Sequence, residues 1–119
     1  MATKLDAPKW IEEGKSFIPK AEAELAAGNN GMAAYYANQA ADKFIKGICL
    51  KVTGNELNGH SLVTNCRQTS HFHKKLMMVL ANCAQLEGYW FEEGGSPKDI
   101  SKDEAAKAIE HAKKVMTAE

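Results

Sequence analysis

The residues with the most chemical capacity lie in the middle third of the chain. Arg67 is the only arginine, and it opens the run Arg67-Gln68-Thr69-Ser70-His71-Phe72-His73. A guanidinium is a permanent cation whose planar fork matches phosphate oxygens. A histidine titrates near neutral pH and can move protons. His60, His71 and His73 share this region with Lys43, Lys46 and Lys51. Residues 43–75 carry six basic groups against Glu56 alone, a local charge of +5, whereas residues 1–42 sum to −2 and residues 76–119 to −3. The chain as a whole is neutral, so it lacks the general basic field of a nonspecific nucleic-acid binder. A local basic patch between acidic helices remains, with Lys43, Lys46, Lys51, His60 and Arg67 as candidate phosphate contacts. The competing reading gives the lysines a solvated face, His60 a capping or packing role, and Arg67 an ion pair with a neighbouring helix.

Other chemistries find no footing. Cys49, Cys66 and Cys83 form no C-x-x-C pair, and His71 and His73, two apart, point to different sides of a helix, so no metal site is expected. There is no G-x-x-x-x-G-K-[ST] loop, no G-x-G-x-x-G and no hydrolase triad, and no cofactor is expected. An odd number of cysteines is not a disulfide framework, and free thiols fit a reducing cytoplasm. The N-terminal residues lack the apolar run of a signal peptide, and no stretch approaches the roughly 18 apolar residues of a membrane span. The expectation is a single cytoplasmic domain over residues 1–119, away from any membrane.

The elements that must position these groups read as helices throughout, with no alternating strand pattern. A first helix is predicted over about Ala7–Ala27, with Trp10, Phe17, Ala21 and Leu25 on its apolar face and a kink or restart near Ser16 forced by Pro19. A second runs from about Gly31 to Thr53. Its buried stripe is Ala33, Ala37, Ala40, Phe44 and Ile48, with Asn38, Asp42 and Lys46 on the opposite side and Gly54 closing it. A short helix covers His60 to about Gln68. Ser70 is expected to cap a third long helix, about His71–Glu92, with Phe72, Leu76, Val79, Leu80, Cys83, Leu86 and Trp90 inward. Ser101 and Glu104 form an S-x-x-E capping box for a last helix with Ala105, Ala108, Ile109, Ala112 and Val115 inward. The fold class is therefore all-α, an up-down bundle of four long helices plus one short helix. Tyr35 with Tyr36, and Tyr89, Trp90 and Phe91, exceed what one face can bury, so they form either a dimer face or a partly exposed band.

The order of these parts carries a likeness. Trp10 leads the first helix; Tyr35, Tyr36, Gln39, Ala40, Ala41, Lys43 and Lys46 mark the second; Gly54 and then His60-Ser61-Leu62 follow; Tyr89, Pro97 and the alanines from Ala105 to Ala112 complete the set. Over about residues 7–117 the chain resembles the HEPN domain family, the higher eukaryotes and prokaryotes nucleotide-binding domain, in its small stand-alone prokaryotic form. The resemblance implies an all-α bundle acting as a homodimer, often beside a minimal nucleotidyltransferase partner in a toxin–antitoxin pair. It also implies binding of nucleotide or RNA, and in active members metal-independent RNA cleavage by an arginine with a histidine four to six residues later. Arg67 and His73 meet that spacing and are the candidate catalytic pair. The family's motif belongs near the junction of the last two long helices, where this chain keeps Pro97 but has Glu92, Glu93 and Gly94 in place of a basic group. A binding module with a degenerate catalytic motif is the first expectation. The alternatives are an RNase toxin using Arg67 and His73, and a helical adaptor with no nucleotide role.

Overall fold

A computed structural model describes residues 2–119. It is an up-down bundle of helices α1 (Ala7–Ala26), α2 (Asn30–Thr53), α3 (Leu62–Ser70), α4 (Leu80–Leu86) and α5 (Lys102–Met116), with no strand among the described residues. Three short 3-10 segments, Lys4–Asp6, Lys74–Val79 and Glu87–Tyr89, flank them. Among the described residues no helix is long and apolar enough to cross a membrane.

Helix α2 is the axis of the bundle and touches α1, α3, α4 and α5. Its expected stripe is fully buried at Ala33, Ala37, Ala40, Phe44 and Ile48. The opposite side is covered as well, contrary to the sequence reading: Asn38 and Asp42 are 1% and 7% exposed. A strip of α2 through Met32, Tyr36, Gln39, Lys43 and Lys46 stays partly open, and the polar groups away from it need internal partners. Asn38 finds one by donating to the Leu86 carbonyl at 2.9 Å. Gly54 ends the helix in the left-handed region, φ 76°, as the position after Thr53 requires.

α1 and α2 pack at close range because two glycines face the crossing. A Cβ at Gly14 would lie 2.8 Å from the Phe44 backbone nitrogen, and one at Gly47 would lie 2.9 Å from that of Ile11. The buried stripe of α1 is Ala7, Ile11, Gly14 and Ala21. Trp10, Phe17 and Leu25 are only half-buried, so the inward face is rotated by about one residue from the expected one. Pro19 does not split the helix. It sits on the exposed side, where water can satisfy the carbonyl left without a donor.

The third long helical element is segmented. Ser70 is the last residue of α3 rather than a cap, and its hydroxyl donates back to the Arg67 carbonyl at 2.6 Å. The chain then proceeds as 3-10, α and 3-10 segments. Leu76, Val79, Cys83 and Leu86 are buried as expected, but Phe72 is turned outward, 66% exposed. α5 keeps its predicted inward residues, and Ser101 accepts from the Glu104 amide at 3.1 Å. The other half of the capping box is not made, because the Glu104 carboxylate accepts the Tyr89 hydroxyl at 2.7 Å instead.

The aromatic band is largely consumed inside the molecule. Tyr35 packs on Phe91 at 4.4 Å between ring centroids, Tyr36 on Phe17 at 5.9 Å, and Trp90 under His60. Among the described residues the exposed large apolar side chains are Leu5, Phe72, Met77 and Met78.

Candidate functional site

The His60-Ser61-Leu62 segment is built for structure at each position. Ser61 is the N-cap of α3 and accepts from the Thr64 amide at 3.2 Å. Leu62 is fully buried. The His60 ring stacks on Trp90, 4.5 Å between centroids and 16° from parallel. Glu87, at the far end of the segmented element, accepts from the Ser61 hydroxyl and from the Val63 amide. A carboxylate at a helix N-terminus answers the free amides and the positive end of the dipole. The start of α3 is therefore occupied by the protein's own anion.

The candidate lysines fall into two kinds. Lys43 is half-buried, pairs with Glu13 at 3.2 Å and lies over the Trp10 ring at 4.1 Å, so it fastens α2 to α1. Lys46 pairs with Asp42 at 3.0 Å, the expected i,i+4 partner, with both side chains mostly buried. Lys51, in the last turn of α2, is exposed and lines a cavity of about 280 Å³ with Lys4, Ile11, Glu12 and Glu119. No hydrogen bond or ion pair joins any two of Lys43, Lys46, Lys51, His60, Arg67 and His73 among the described residues.

Arg67 is exposed in the last turn of α3, where a cation suits the negative end of the helix. It makes no ion pair among the described residues, and neither do Lys74 and Lys75 just beyond. His71 and Phe72 are exposed between them. Arg67, His71, Phe72, Lys74 and Lys75 are thus all exposed within one short stretch, and so are Met77 and Met78 just beyond, at 64% and 81%. The sequence pattern predicts Phe72 in the core and gives Lys74 and Lys75 no place in the site. The signal available was the run His-Phe-His-Lys-Lys, whose charge density fits poorly with a buried helix face.

His73 is placed differently. Its Nε2 lies 2.6 Å from the Ala118 carbonyl oxygen. A carbonyl can only accept, so Nε2 carries the proton, and only Nδ1 is left for proton transfer. Inside the same region, the buried Cys66 thiol donates to the Leu76 carbonyl at 3.4 Å, with the Cys83 thiol also buried in the core. The neighbouring Cys83 thiol draws the Cys66 thiol down, burial opposes it, and the Arg67 charge adds to the lowering. The Cys66 thiol beside it and burial push Cys83 up. No cluster of three or more metal-ligating side chains occurs among the described residues.

Comparison with known proteins agrees with this geometry. No curated protein sequence matches the chain. The crystal structure of TT1696 from Thermus thermophilus superposes with a TM-score of 0.82 at 21% identity, covering 95% of this chain and 94% of that one, which establishes the fold. The HEPN domain model matches residues 7–119. On that match over nearly its full length, the chain belongs to the HEPN domain family.

Proposed function

We propose that this HEPN chain is a binding module rather than a nuclease, and that residues 67–75 are its contact surface for a nucleotide or RNA. The observation that carries the reading is the row Arg67, Lys74 and Lys75, exposed and without carboxylate partners among the described residues, beside an exposed aromatic ring in a neutral protein. Unpaired cations next to a ring are the elements of single-strand binding, where phosphates neutralise charge and bases stack. The module works as a homodimer, with a minimal nucleotidyltransferase as protein partner in a toxin–antitoxin-like pair. Three buried free thiols suit the reducing cytoplasm. Catalysis by Arg67 and His73 is disfavoured because the His73 ring is held by the Ala118 carbonyl and the helix junction carries Glu92 and Glu93.

The test is fluorescence anisotropy of a labelled single-stranded RNA over a salt series. Three phosphate contacts give a slope near −2, so affinity should fall about twentyfold between about 50 mM and about 200 mM salt. Replacing Arg67, Lys74 and Lys75 together by alanine should flatten the slope, whereas Lys43→Ala should leave it unchanged. Absence of binding at the lowest salt would return the chain to the class of helical adaptors. RNA cleavage abolished by His73→Ala would restore the nuclease reading.

A further inference from the structure

A second cavity, of about 390 Å³, opens where the end of α2, the loop after it and α3 meet. It is within the size range of small-molecule sites, and its wall is assembled from three parts of the chain. Val52 and Leu57 supply apolar surface. Phe72 also lines it, and its outward ring is not used by the core. Gln68 and Glu56 supply polar lining, with Glu56 the only charged residue of the wall. Thr69 lines it too, and its buried hydroxyl has no partner among the described residues. Such an orphan in a cavity wall costs stability until a ligand or a side-chain rotation supplies the missing bond.

Helix geometry places this cavity beside the basic row. Gln68 and Phe72 are one turn apart, and so are Arg67 and His71, because the turn continues past Ser70: His71 has helical φ and ψ, and the Phe72 amide bonds the Thr69 carbonyl at 2.9 Å. Residues four apart share a face. Gln68 and Phe72 line the cavity; Arg67 and His71, each one residue earlier, lie about 100° round the same turn. We infer that the cavity takes the base of a guanine nucleotide, with its phosphate on Arg67 and His71. This rests on the reading of the chain as a nucleotide- or RNA-binding module.

Guanine follows from the chemistry of the lining. A carboxylate only accepts, and its two oxygens suit two adjacent donors. Guanine presents N1–H and the N2 amino group side by side. Adenine and cytosine pair one donor with a ring nitrogen lone pair, which would face the Glu56 carboxylate and be repelled. Uracil sets its single donor between two carbonyl oxygens. The Gln68 amide can donate to guanine O6, and Phe72 can stack on the ring, the way unpaired bases are read on their Watson–Crick edges. A free guanine nucleotide and an unpaired guanosine in RNA share this chemistry.

Calorimetric titration of the full chain with GMP, AMP, CMP and UMP tests the proposal. GMP should bind about tenfold more tightly than the others, and Glu56→Gln should remove that preference. Phe72→Ala should weaken all four by about tenfold through lost stacking. Glu56 and Phe72 are exposed, so both variants should keep the wild-type circular dichroism and melting temperature. Equal affinity for GMP and AMP, or unchanged GMP binding in both variants, would overturn the assignment. A parallel titration with guanosine-containing and all-uridine oligonucleotides of equal length separates the two sources: preference in GMP alone marks the free nucleotide, and preference in the oligonucleotide marks RNA. Salt-dependent, base-blind RNA binding that ignores Glu56 and Phe72 would remove the pocket while leaving the basic surface standing. No binding of either ligand would remove both.

Discussion

Two stretches with similar basic sequence serve opposite purposes. In α2, Lys43 and Lys46 stand over carboxylates, one reaching Glu13 on α1 and the other Asp42 one turn back. At the end of α3 and just after it, Arg67, Lys74 and Lys75 are exposed and make no ion pair among the described residues. The local charge of a sequence window counts both groups equally. Only the neighbours distinguish charge spent on joining helices from charge available to a ligand.

The largest expected effect probes the closed side of this comparison. Gly14→Ala would press a methyl group into the Phe44 backbone at the α1–α2 crossing. The obstacle is backbone, which cannot swing aside, so the overpacking cost falls at the upper end of the usual range, about 3 kcal/mol, offset by about 1 kcal/mol of better helix propensity. A net loss of about 2 kcal/mol in urea unfolding is expected, with the RNA salt slope unchanged.

Lys46→Ala sharpens the contrast between spent and free charge. It leaves the Asp42 carboxylate, 7% exposed with Oδ1 already unpartnered, without its cation. Stability should fall by about 1 kcal/mol, the low end for a buried group left unpaired, because both side chains keep some contact with water. Lys74→Ala, on the open side, should change stability by less than about 0.5 kcal/mol and act on ligand affinity alone. Equal stability losses in the two variants would erase the distinction.

The smallest effect concerns pH. Burial, and then the bond to Glu104, push Tyr89 up to about 12 from the ordinary 10. The fold favours the protonated phenol, so this stabilisation is complete below about pH 10 and is lost as pH rises through about 12. Ultraviolet titration should show one tyrosine ionising late, and Glu104→Gln should bring it earlier without disturbing the open surface.

Much of the architecture was legible because α2 and α5 carry strong periodic patterns and clear ends. The alanine stripe, Gly54 and the Ser101 cap depend on local sequence, and local sequence shows them. Burial of Asn38 and Asp42 was not legible, since it depends on how many helices surround α2. Gly14 and Gly47 carry no local signal of their role, because a glycine at a close crossing looks like any helical glycine until its partner is known. The break of the third long element was hidden by a pattern, Leu76, Val79, Cys83 and Leu86, that stays inward whether the backbone is α or 3-10. The inward placement of Phe72 extends that pattern one turn too far. Of the candidate site, the basic region was visible, but not which of its cations were already paired.

The contacts of Ser61 with Glu87 and of His60 with Trp90 have a mechanical consequence. They tie the two ends of a 25-residue excursion into a closed ring of polypeptide, with residues 62–86 between the knots. The outward ring and cations at 67–75 lie on that ring, away in sequence from either knot. Holding the ends of such a loop together in the folded protein costs chain entropy that grows only slowly with length, and loosening them restores freedom to the residues within it. The His-Ser-Leu segment therefore acts as a clasp, setting the stiffness of a surface it does not touch.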